Sequence, residues 1–470
     1  MSAQNILLVV YDTTRADVLE PYGAGEGTSP ALAQLARRGS AVPRVMAPAS
    51  WTVPSHAAMF AGLMPRSMGL GQAPGGTPLG VRPALEVHRD RLLAEVLRRQ
   101  GFATRAISAN LWISAGSGFD IGFEDFRVTS ARQYRGFDSK TRRGAAEWAL
   151  SALRARLDGG AAEVERALRE WSGSAGTRPF FWFVNLIECH SPYLPPRPYN
   201  DLRPWWSVAA GMEARRHLTL DAVWSACAGG VLPSPPVIAR MRHLYARSAR
   251  LLDDWLGRVM QLMDAAGVLD DTLLVVTSDH GENLGEGGLM GHAFSLDDRL
   301  IHVPVVAAGP GAEALERVGS LVDIPWALAT ATDTRDHPWQ PPRDDGIAVA
   351  QFDGLAPEDD PRIQGLVASW GLDPAAARVL SQDQTCATDG QLKLLRRGPV
   401  ETLFDLAADP LELTALDPAD AADGARVTRL RQALEAEGMG TAPVPAGPQP
   451  VISEEARRDL ERRMSILGYM

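Results

Sequence analysis

The chain has few cysteines, and none of them forms a recognisable motif. Its 470 residues include three, Cys189, Cys227 and Cys386, which are far apart and odd in number. They make neither a CxxC pair nor a disulfide framework. We therefore expect buried structural thiols in a reducing compartment.

Long hydrophobic runs and a leader sequence are also missing. No apolar run approaches the ~18 residues that a membrane-spanning helix requires. The N-terminus enters a strand almost at once, without the basic and apolar segments and the cleavage site of a signal peptide. These absences predict a cytoplasmic protein without a membrane anchor.

Positive charge is not in excess. The chain carries 57 acidic and 47 basic residues, a formal net charge of -10, which argues against a nucleic-acid partner. With 45% hydrophobic and 22% charged residues, the composition is that of a soluble globular protein. The length suggests two or three domains, or one dominant α/β domain.

Short buried strands alternate with helices through most of the chain. Branched apolar runs predict strands at 6–11, 103–108, 180–187, 272–277 and 302–307. Capped or amphipathic segments predict helices at 31–36, 92–100 and 240–265. This alternation predicts an α/β sandwich with a large, mostly parallel central sheet flanked by helices.

The sequence changes character after about residue 345. A hairpin is predicted from 391–396 and 402–406, with a helix at 425–437 after it. We predict three regions: a catalytic domain at 1–345, a smaller C-terminal subdomain with a short antiparallel sheet at 346–440, and a Pro-rich linker (441–450) with a terminal helix (454–467) at 441–470. Segments 205–235 and 312–345 are rich in Trp and Pro and lack periodicity, which predicts irregular insertions or lid-like loops.

Residues of the types that bind metals follow three of the predicted strands. Asp12, His190 and the pair Asp279–His280 all lie just past strand ends, where sites gather in parallel sheets. Asp12 alone is equally well an ordinary loop carboxylate. Beside Asp279 and His280 it gives an O, O, N ligand set that suits Mn²⁺, Zn²⁺, Mg²⁺ or Ca²⁺, and the residues do not choose among them.

Thr52 lies where a second helix begins. Pro54 fits the first turn of that helix and Gly62 its end. A helix N-terminus favours a bound phosphate or sulfate, which would place the Thr52 hydroxyl beside an anion. The alternative is that Thr52 only caps the helix.

Several segments of the chain together resemble the sulfatase family of the alkaline-phosphatase superfamily. They are 5–17, 22–39, 50–65, 179–193, 278–292, 302–304, 402–412 and 467–469. The resemblance implies that Asp12, Asp279 and His280 hold one divalent cation, with the Thr52 hydroxyl completing its inner sphere.

The resemblance also implies roles for three histidines. His190 and His292 would contact the anionic oxygens of the substrate or protonate its leaving group. His56 stands where sulfatases carry an arginine, so it would assist the nucleophile or bind the ester.

Two positions depart from the family pattern. Thr52 replaces the Cys or Ser that sulfatases oxidise to formylglycine, and oxidising a threonine would give a ketone instead of an aldehyde. Thr13 replaces a second aspartate that many members use as a ligand, which favours a single metal ion. A threonine nucleophile resembles the lipoteichoic-acid synthase and phosphoethanolamine transferase branch, in which the threonine attacks phosphorus.

We therefore predict a metal-dependent hydrolase, or transferase, of phosphate or phosphonate esters that acts on a small anionic ester substrate. We expect Mn²⁺, with Zn²⁺, Ca²⁺ or Mg²⁺ as alternatives. One alternative function is sulfate-ester hydrolysis without formylglycine, and another is a non-catalytic binder of anionic ligands. Glu188 either orients His190 or forms a surface salt bridge, Arg15 is either solvated or steers an anion, and Lys393 has no assigned role.

Overall fold

The computed structural model describes residues 4–73, 78–129, 158–174, 176–420 and 423–438. The predicted linker 441–450 and terminal helix 454–467 lie outside the described residues. Among the helices described, none combines the length and the apolar character that crossing a membrane demands.

Fifteen strands are described along the chain. They are β1 (Asn5–Tyr11), β2 (Ser40–Ala41), β3 (Val45–Met46), β4 (Ala103–Ser108), β5 (Asp125–Val128), β6 (Phe180–Leu186), β7 (Thr272–Thr277), β8 (Asn283–Leu284), β9 (Met290–Gly291), β10 (His302–Val303), β11 (Val305–Ala308), β12 (Ala348–Phe352), β13 (Gln384–Thr388), β14 (Leu392–Arg397) and β15 (Val400–Asp405).

The central sheet has seven strands in the order β2-β11-β7-β1-β6-β4-β5. Strands β7, β1, β6, β4 and β5 run parallel, while β11 pairs antiparallel with both β7 and β2. In this register Val10 lies opposite Asn185 on one side and Thr277 on the other. The predicted α/β class and its mostly parallel sheet are confirmed.

The sheet is buried on both faces, as its continuous apolar strands predict. Ile6, Leu8 and Val10 of β1 join one core, and the residues between them join a second core on the opposite face. Each fully buried side chain of this size contributes roughly 1.5–3 kcal/mol relative to an exposed one. A strand that is apolar on both faces therefore favours the central position that β1 occupies.

The helices flank this sheet and a second sheet, which is formed by β12 to β15 near the C-terminus. They are α1 (Pro30–Arg38), α2 (Thr52–Ala61), α3 (Pro78–Val87), α4 (Leu93–Arg99), α5 (Ala161–Gly173), α6 (Pro204–His217), α7 (Leu220–Cys227), α8 (Pro235–Ala265), α9 (Asp298–Ile301), α10 (Ile324–Ala331), α11 (Pro361–Trp370), α12 (Pro374–Ala377) and α13 (Gly424–Gly438).

Two predictions of local structure were wrong. The predicted strand 302–307 is split at Pro304, which has no N–H to donate: β10 pairs with β3, and β11 joins the central sheet. Segment 205–235 is mostly helical instead of irregular, since it contains α6, α7 and the start of α8.

The sequence did not predict helix α6 because the residues that it buries are small: Ser207, Ala210, Gly211 and Ala214. Its inward face consists of small residues, so the large apolar periodicity that marks a helix is missing. Segment 312–345 contains the short helix α10, which is buried almost all round and so has no polar face. The remainder of that segment is largely irregular, as predicted.

The C-terminal sheet has four antiparallel strands in the order β12-β13-β14-β15, and helix α13 packs on it. The predicted hairpin corresponds to β14 and β15. The smaller antiparallel sheet is therefore confirmed, while the boundary at residue 346 stays a prediction.

Candidate active site and metal centre

The three predicted strand ends meet at one edge of the central sheet. Asp12 follows β1, Asp279 and His280 follow β7, and His190 lies four residues past β6. Because β7, β1 and β6 are adjacent and parallel, their carboxyl ends lie side by side.

Asp12, Asp279 and His280 form the core of this edge, and we call them the cation cluster. All three side chains are fully buried. Each offers a ligand atom, and these atoms all lie within 4.8 Å of one another. Two carboxylates and one imidazole at such distances match the ligand chemistry of a divalent cation.

Asp279 carries the clearest sign that the cluster fits a metal ion. Its Oδ1 accepts hydrogen bonds from the backbone N–H groups of Thr13 and His280, at 3.0 and 2.9 Å. Its Oδ2 is buried without any hydrogen bond. The imidazole nitrogens of His56 and His280 approach it, at 3.3 and 3.4 Å, and a buried carboxylate oxygen without a hydrogen bond is costly unless a cation compensates it.

The ring of His280 is held in the orientation of a metal ligand. Its Nδ1 lies 2.8 Å from the Gly281 carbonyl oxygen, to which it donates. Nε2 therefore keeps its lone pair, and it lies 3.4 Å from Oδ2 of Asp279. Although burial alone raises the pKa of Asp279, the imidazoles of His280 and His56 hold it well below its ordinary value.

Polar neighbours orient the Asp12 carboxylate. Asn110 Nδ2 donates to Oδ2 at 2.8 Å, Asn185 Nδ2 lies 3.4 Å from the same oxygen, and the Thr13 hydroxyl donates to Oδ1 at 2.7 Å. Thr13 has a φ of 64°, which costs of order 1–3 kcal/mol for a side chain of this kind. In place of the family's second aspartate, Thr13 thus hydrogen-bonds to both carboxylates of the cluster.

Thr52 is the first residue of α2, and its hydroxyl faces the cation cluster. Trp51 occupies the capping position, and no side chain caps the helix. The Thr52 Oγ1 lies 3.3 Å from His280 Nε2, and the residue is 2% exposed. Capping therefore does not account for this threonine.

His56 lies one helical turn beyond Thr52, behind the cluster. Its Nδ1 is 3.0 Å from the Thr52 carbonyl oxygen and 3.3 Å from Asp279 Oδ2. The ring packs edge-on against Phe119 and Phe183. Burial lowers the pKa of His56, but the neighbouring Asp279 carboxylate more than offsets this and raises it. His56 thus contacts one predicted ligand and the backbone of Thr52, and its role toward the nucleophile or the ester stays a prediction.

His190 and His292 lie on the open side of the cluster. The ring centroid of His292 is 4.6 Å from that of His280 and 5.3 Å from that of His190. Glu282 holds His292, because its Oε1 lies 3.0 Å from Nδ1. The other oxygen of Glu282 accepts a hydrogen bond from the Tyr193 hydroxyl at 2.7 Å.

Sequence reasoning missed the roles of Glu282, Tyr193, Asn110 and Asn185. Two signals were present. Asn185 is the single strongly polar residue of the otherwise apolar strand β6. Asn110 follows β4 by two residues, which is the same strand-end position that identified Asp12. Glu282 and Tyr193 gave no comparable signal, because their pairing depends on loops that meet only in the fold.

Three residues without an assigned role have structural partners. Glu188 accepts a hydrogen bond from the Ala161 N–H at the start of α5, at 2.8 Å. Arg15 pairs with Asp17 and Glu286 at 2.5 and 2.9 Å. Lys393 is fully buried and pairs with Glu412.

The sulfatase family profile matches residues 4–333 of the chain. Among curated proteins, the chain is 28% identical over 165 residues to the multifunctional alkaline phosphatase superfamily protein PehA of Trinickia caryophylli, covering 32% of each chain. It is 29% identical over 206 residues to a choline-sulfatase of Rhizobium meliloti, covering 41% of this chain and 37% of the relative. The matched regions thus span only about a third of the length of these relatives.

Among solved structures, the fold is similar to that of a phosphonate monoester hydrolase of Agrobacterium radiobacter. The TM-score is 0.62 at 19% identity, and the match covers 92% of this chain and 95% of the other. At this identity the likeness describes the fold alone.

Proposed function

This chain belongs to the sulfatase family, and from that membership and the geometry of its site we propose that it is a metal-dependent hydrolase of phosphate or phosphonate esters with Thr52 as nucleophile. The observation that carries the proposal is the position of the Thr52 hydroxyl, 3.3 Å from the imidazole nitrogen of His280 in the buried cation cluster. An acidic hydroxyl and an anionic ester would both be favoured there.

In this proposal Asp12, Asp279 and His280 hold one divalent cation, and the Thr52 hydroxyl completes its inner sphere. We expect Mn²⁺. When bound, the cation neutralises charge on the ester oxygens and favours the ionised form of the Thr52 hydroxyl. The N-terminal N–H groups of α2 add positive potential on the same side.

The chain's own residues then divide the reaction into two displacements. Thr52 Oγ1 forms a bond to phosphorus while the bond from phosphorus to the leaving oxygen breaks. His190 or His292 supplies the proton that the leaving alcohol takes. Glu282 orients His292 by binding Nδ1, so that Nε2 is the nitrogen left for this transfer. Water then attacks phosphorus and gives a proton to the histidine that lost one, while the bond from phosphorus to Thr52 Oγ1 breaks and Thr52 leaves in its ionised form.

His56 acts in this scheme as a positioning residue. Its contacts with Asp279 and with the Thr52 carbonyl oxygen fix the carboxylate relative to the start of α2. We propose that this buried imidazole does what a charged arginine does elsewhere in the family, without reaching the ester.

Hydrolysis of sulfate esters is the second candidate, because a choline-sulfatase is among the relatives. It would have to proceed without formylglycine, since Thr52 cannot give an aldehyde. Retention of a complete cation cluster argues against the third possibility, a binder without turnover. The three cysteines are all free, which supports our proposal of a cytoplasmic location.

The experiment is a comparison of matched esters on one protein. Protein stripped of metal and reloaded with Mn²⁺ would be assayed with aryl phosphate, phosphonate monoester, phosphodiester and sulfate substrates that share one leaving group. Thr52→Ala would be compared with Ser50→Ala, which removes a buried hydroxyl two residues away. We expect phosphorus-ester turnover that requires metal and falls by at least about 10³-fold in Thr52→Ala only.

Two results would contradict the proposal. Sulfate turnover as fast as that of the best phosphorus ester would overturn the substrate assignment. Turnover that survives in Thr52→Ala would overturn the nucleophile. Acid quenching during turnover should also leave phosphate on the Thr52 peptide, which mass spectrometry would detect.

A further inference from the structure

Helix α7 forms one wall of the active-site cleft. A Cβ atom built on Gly291 would lie 2.7 Å from Val223 Cγ1, so α7 packs against the strand that precedes His292 as closely as a glycine allows. The thiol of Cys227 donates to the Met290 carbonyl oxygen at 3.1 Å, which ties the end of α7 to the same strand. The helix is therefore fixed to the segment that carries a predicted catalytic residue.

The cleft between α7 and the histidines has two chemically different sides. His190, Glu282 and His292 line one side, and Leu218, Leu220, Val223 and Trp224 line the other. These four apolar side chains are half-buried. Trp224 is held in place by an edge-on contact with Phe294, at a centroid distance of 5.6 Å.

Most polar groups in this cleft are already occupied or are reserved for the reacting ester, and the Ser191 hydroxyl lies 3.5 Å from His190 Nδ1. Both oxygens of Glu282 accept hydrogen bonds, from His292 and Tyr193. Neither lysine nor arginine is found among the described residues that line the cleft. A sugar with several hydroxyls or a second anionic group placed there would lose more hydrogen bonds to water than the cleft returns.

From this juxtaposition we propose that α7 is the specificity element of the enzyme, and that the cleft binds the alcohol half of the ester as an uncharged aryl group or an alkyl chain longer than methyl. The proposal rests on the proposed function, in which His190 or His292 protonates the leaving oxygen. An alcohol that departs beside these two imidazoles has the apolar wall of α7 as its nearest surface. Removing apolar surface of both partners from water then favours binding.

The enclosed part of the cleft is small, and the rest is open to solvent. The enclosed volume is about 60 Å³, small beside the ~300–1,000 Å³ of sites for drug-sized ligands. A single ring or a short chain fits such a space better than an oligosaccharide does.

Binding to a variant that cannot turn over tests the proposal directly. Thr52→Ala protein loaded with Mn²⁺ would be titrated calorimetrically with phenyl phosphate, methyl phosphate and a hexose 1-phosphate, and in parallel with phenyl and methyl sulfate. We expect the phenyl ester to bind about tenfold more tightly than the methyl ester, with the sugar ester weakest. Adding Leu220→Ser should remove most of the phenyl preference and leave methyl binding unchanged.

Leu413→Ser provides the matched control, since Leu413 is 69% exposed in the C-terminal region and should change neither affinity. Methyl or hexose esters that bind as tightly as phenyl esters would overturn the inference, as would equal losses for phenyl and methyl esters in Leu220→Ser. Absence of binding by both phenyl esters would also overturn it. A phenyl preference confined to the sulfate pair would keep the α7 subsite and overturn the phosphorus assignment instead.

Discussion

Two of the places where the described residues bury charge differ in how that charge is compensated. At the junction with the C-terminal sheet, Lys393 is fully buried, pairs with Glu412 and donates to the Leu296 carbonyl oxygen. Burial lowers the pKa of Lys393, but Glu412 more than offsets this and raises it. In the cation cluster, by contrast, Asp279 keeps one buried oxygen without a hydrogen bond.

This difference separates structural charge from functional charge. Burying an ion pair costs desolvation that the pair recovers only with good geometry and further hydrogen bonds, and the Lys393–Glu412 pair has both. The cation cluster has two carboxylates, and the basic groups beside Asp279 are the imidazoles of His56 and His280 instead of a lysine or an arginine. We propose that a bound divalent cation completes the charge compensation of this cluster. We therefore expect the two sites to respond differently to metal and to mutation.

The largest expected effect is on activity, in Asp279→Asn. The amide keeps the shape of the side chain but removes its charge, so Mn²⁺ binding should fail and turnover should drop by at least about 10³-fold. Mn²⁺ at a hundredfold excess over its Kd should stabilise the unchanged protein by ~2.7 kcal/mol and the variant not at all. Melting temperatures with Mn²⁺ and with chelator would measure this, and a retained Mn²⁺ shift would contradict the assignment of Asp279 as a ligand.

Glu412→Gln should have its main effect on stability. It leaves Lys393 buried without its partner, for which we expect a loss of about 3–5 kcal/mol in the free energy of unfolding. Urea denaturation would measure it. Replacing both residues, as Lys393→Met with Glu412→Leu, should restore most of the loss, while the Mn²⁺ shift stays normal in both variants. A Mn²⁺ shift that disappears in Glu412→Gln would erase the distinction between the two sites.

Glu188→Gln should change how stability depends on pH. Burial, with a smaller contribution from Asp158, raises the pKa of Glu188 to about 8, although the Ala161 N–H opposes the shift. The folded chain therefore keeps this proton well above the ~4.3 at which an unfolded chain loses it. The resulting stability is complete below the unfolded pKa and is lost as the pH rises through the folded pKa.

Because glutamine does not ionise, the variant should gain stability relative to the unchanged chain between about pH 5 and pH 9. We expect a relative gain of roughly 1–3 kcal/mol, since a fully buried carboxylate is partly compensated by the backbone. Urea denaturation at several pH values would measure it, with the exposed Glu26→Gln as control. Parallel stability curves for Glu188→Gln and the unchanged chain would show that Glu188 carries no such shift.

The sheet and the cation cluster could be predicted because each rests on a local signal. The apolar run of β1 predicts a central strand. Parallel strands bring Asp12 and Asp279 to one edge of the sheet, whatever the structure of the loops and helices between them. The start of α2 was visible from Pro54 and Gly62, which places Thr52 at its first residue.

The segment that leads into the cleft wall α7 could not be predicted in the same way. Helix α6 packs through small residues such as Ala210 and Gly211, so no large apolar stripe marks it. Glu282 is identified as a positioning residue only when Tyr193 and His292 reach it from separate loops. Such contacts depend on tertiary structure, and no spacing in the chain encodes them.

The smallest effect we predict tests this distinction at Asn110, a residue that sequence reasoning missed. Asn110 Nδ2 donates to the Asp12 carboxylate at 2.8 Å, and partners of this kind typically contribute about 10–100-fold to metal affinity. Because Asn185 also lies near that oxygen, we expect the low end, about tenfold weaker Mn²⁺ binding in Asn110→Ala. Calorimetric titration with Mn²⁺ would measure it.

Asn200→Ala is the matched control, because Asn200 is equally buried but hydrogen-bonds to Ser207, away from the site. It should lower stability and leave Mn²⁺ affinity unchanged. Equal affinities in Asn110→Ala and the unchanged chain would mean that the cation, once bound, holds Asp12 without help. Orientation by Asn110 would then matter only for the metal-free protein, and the contrast with the self-contained Lys393–Glu412 pair would be sharper still.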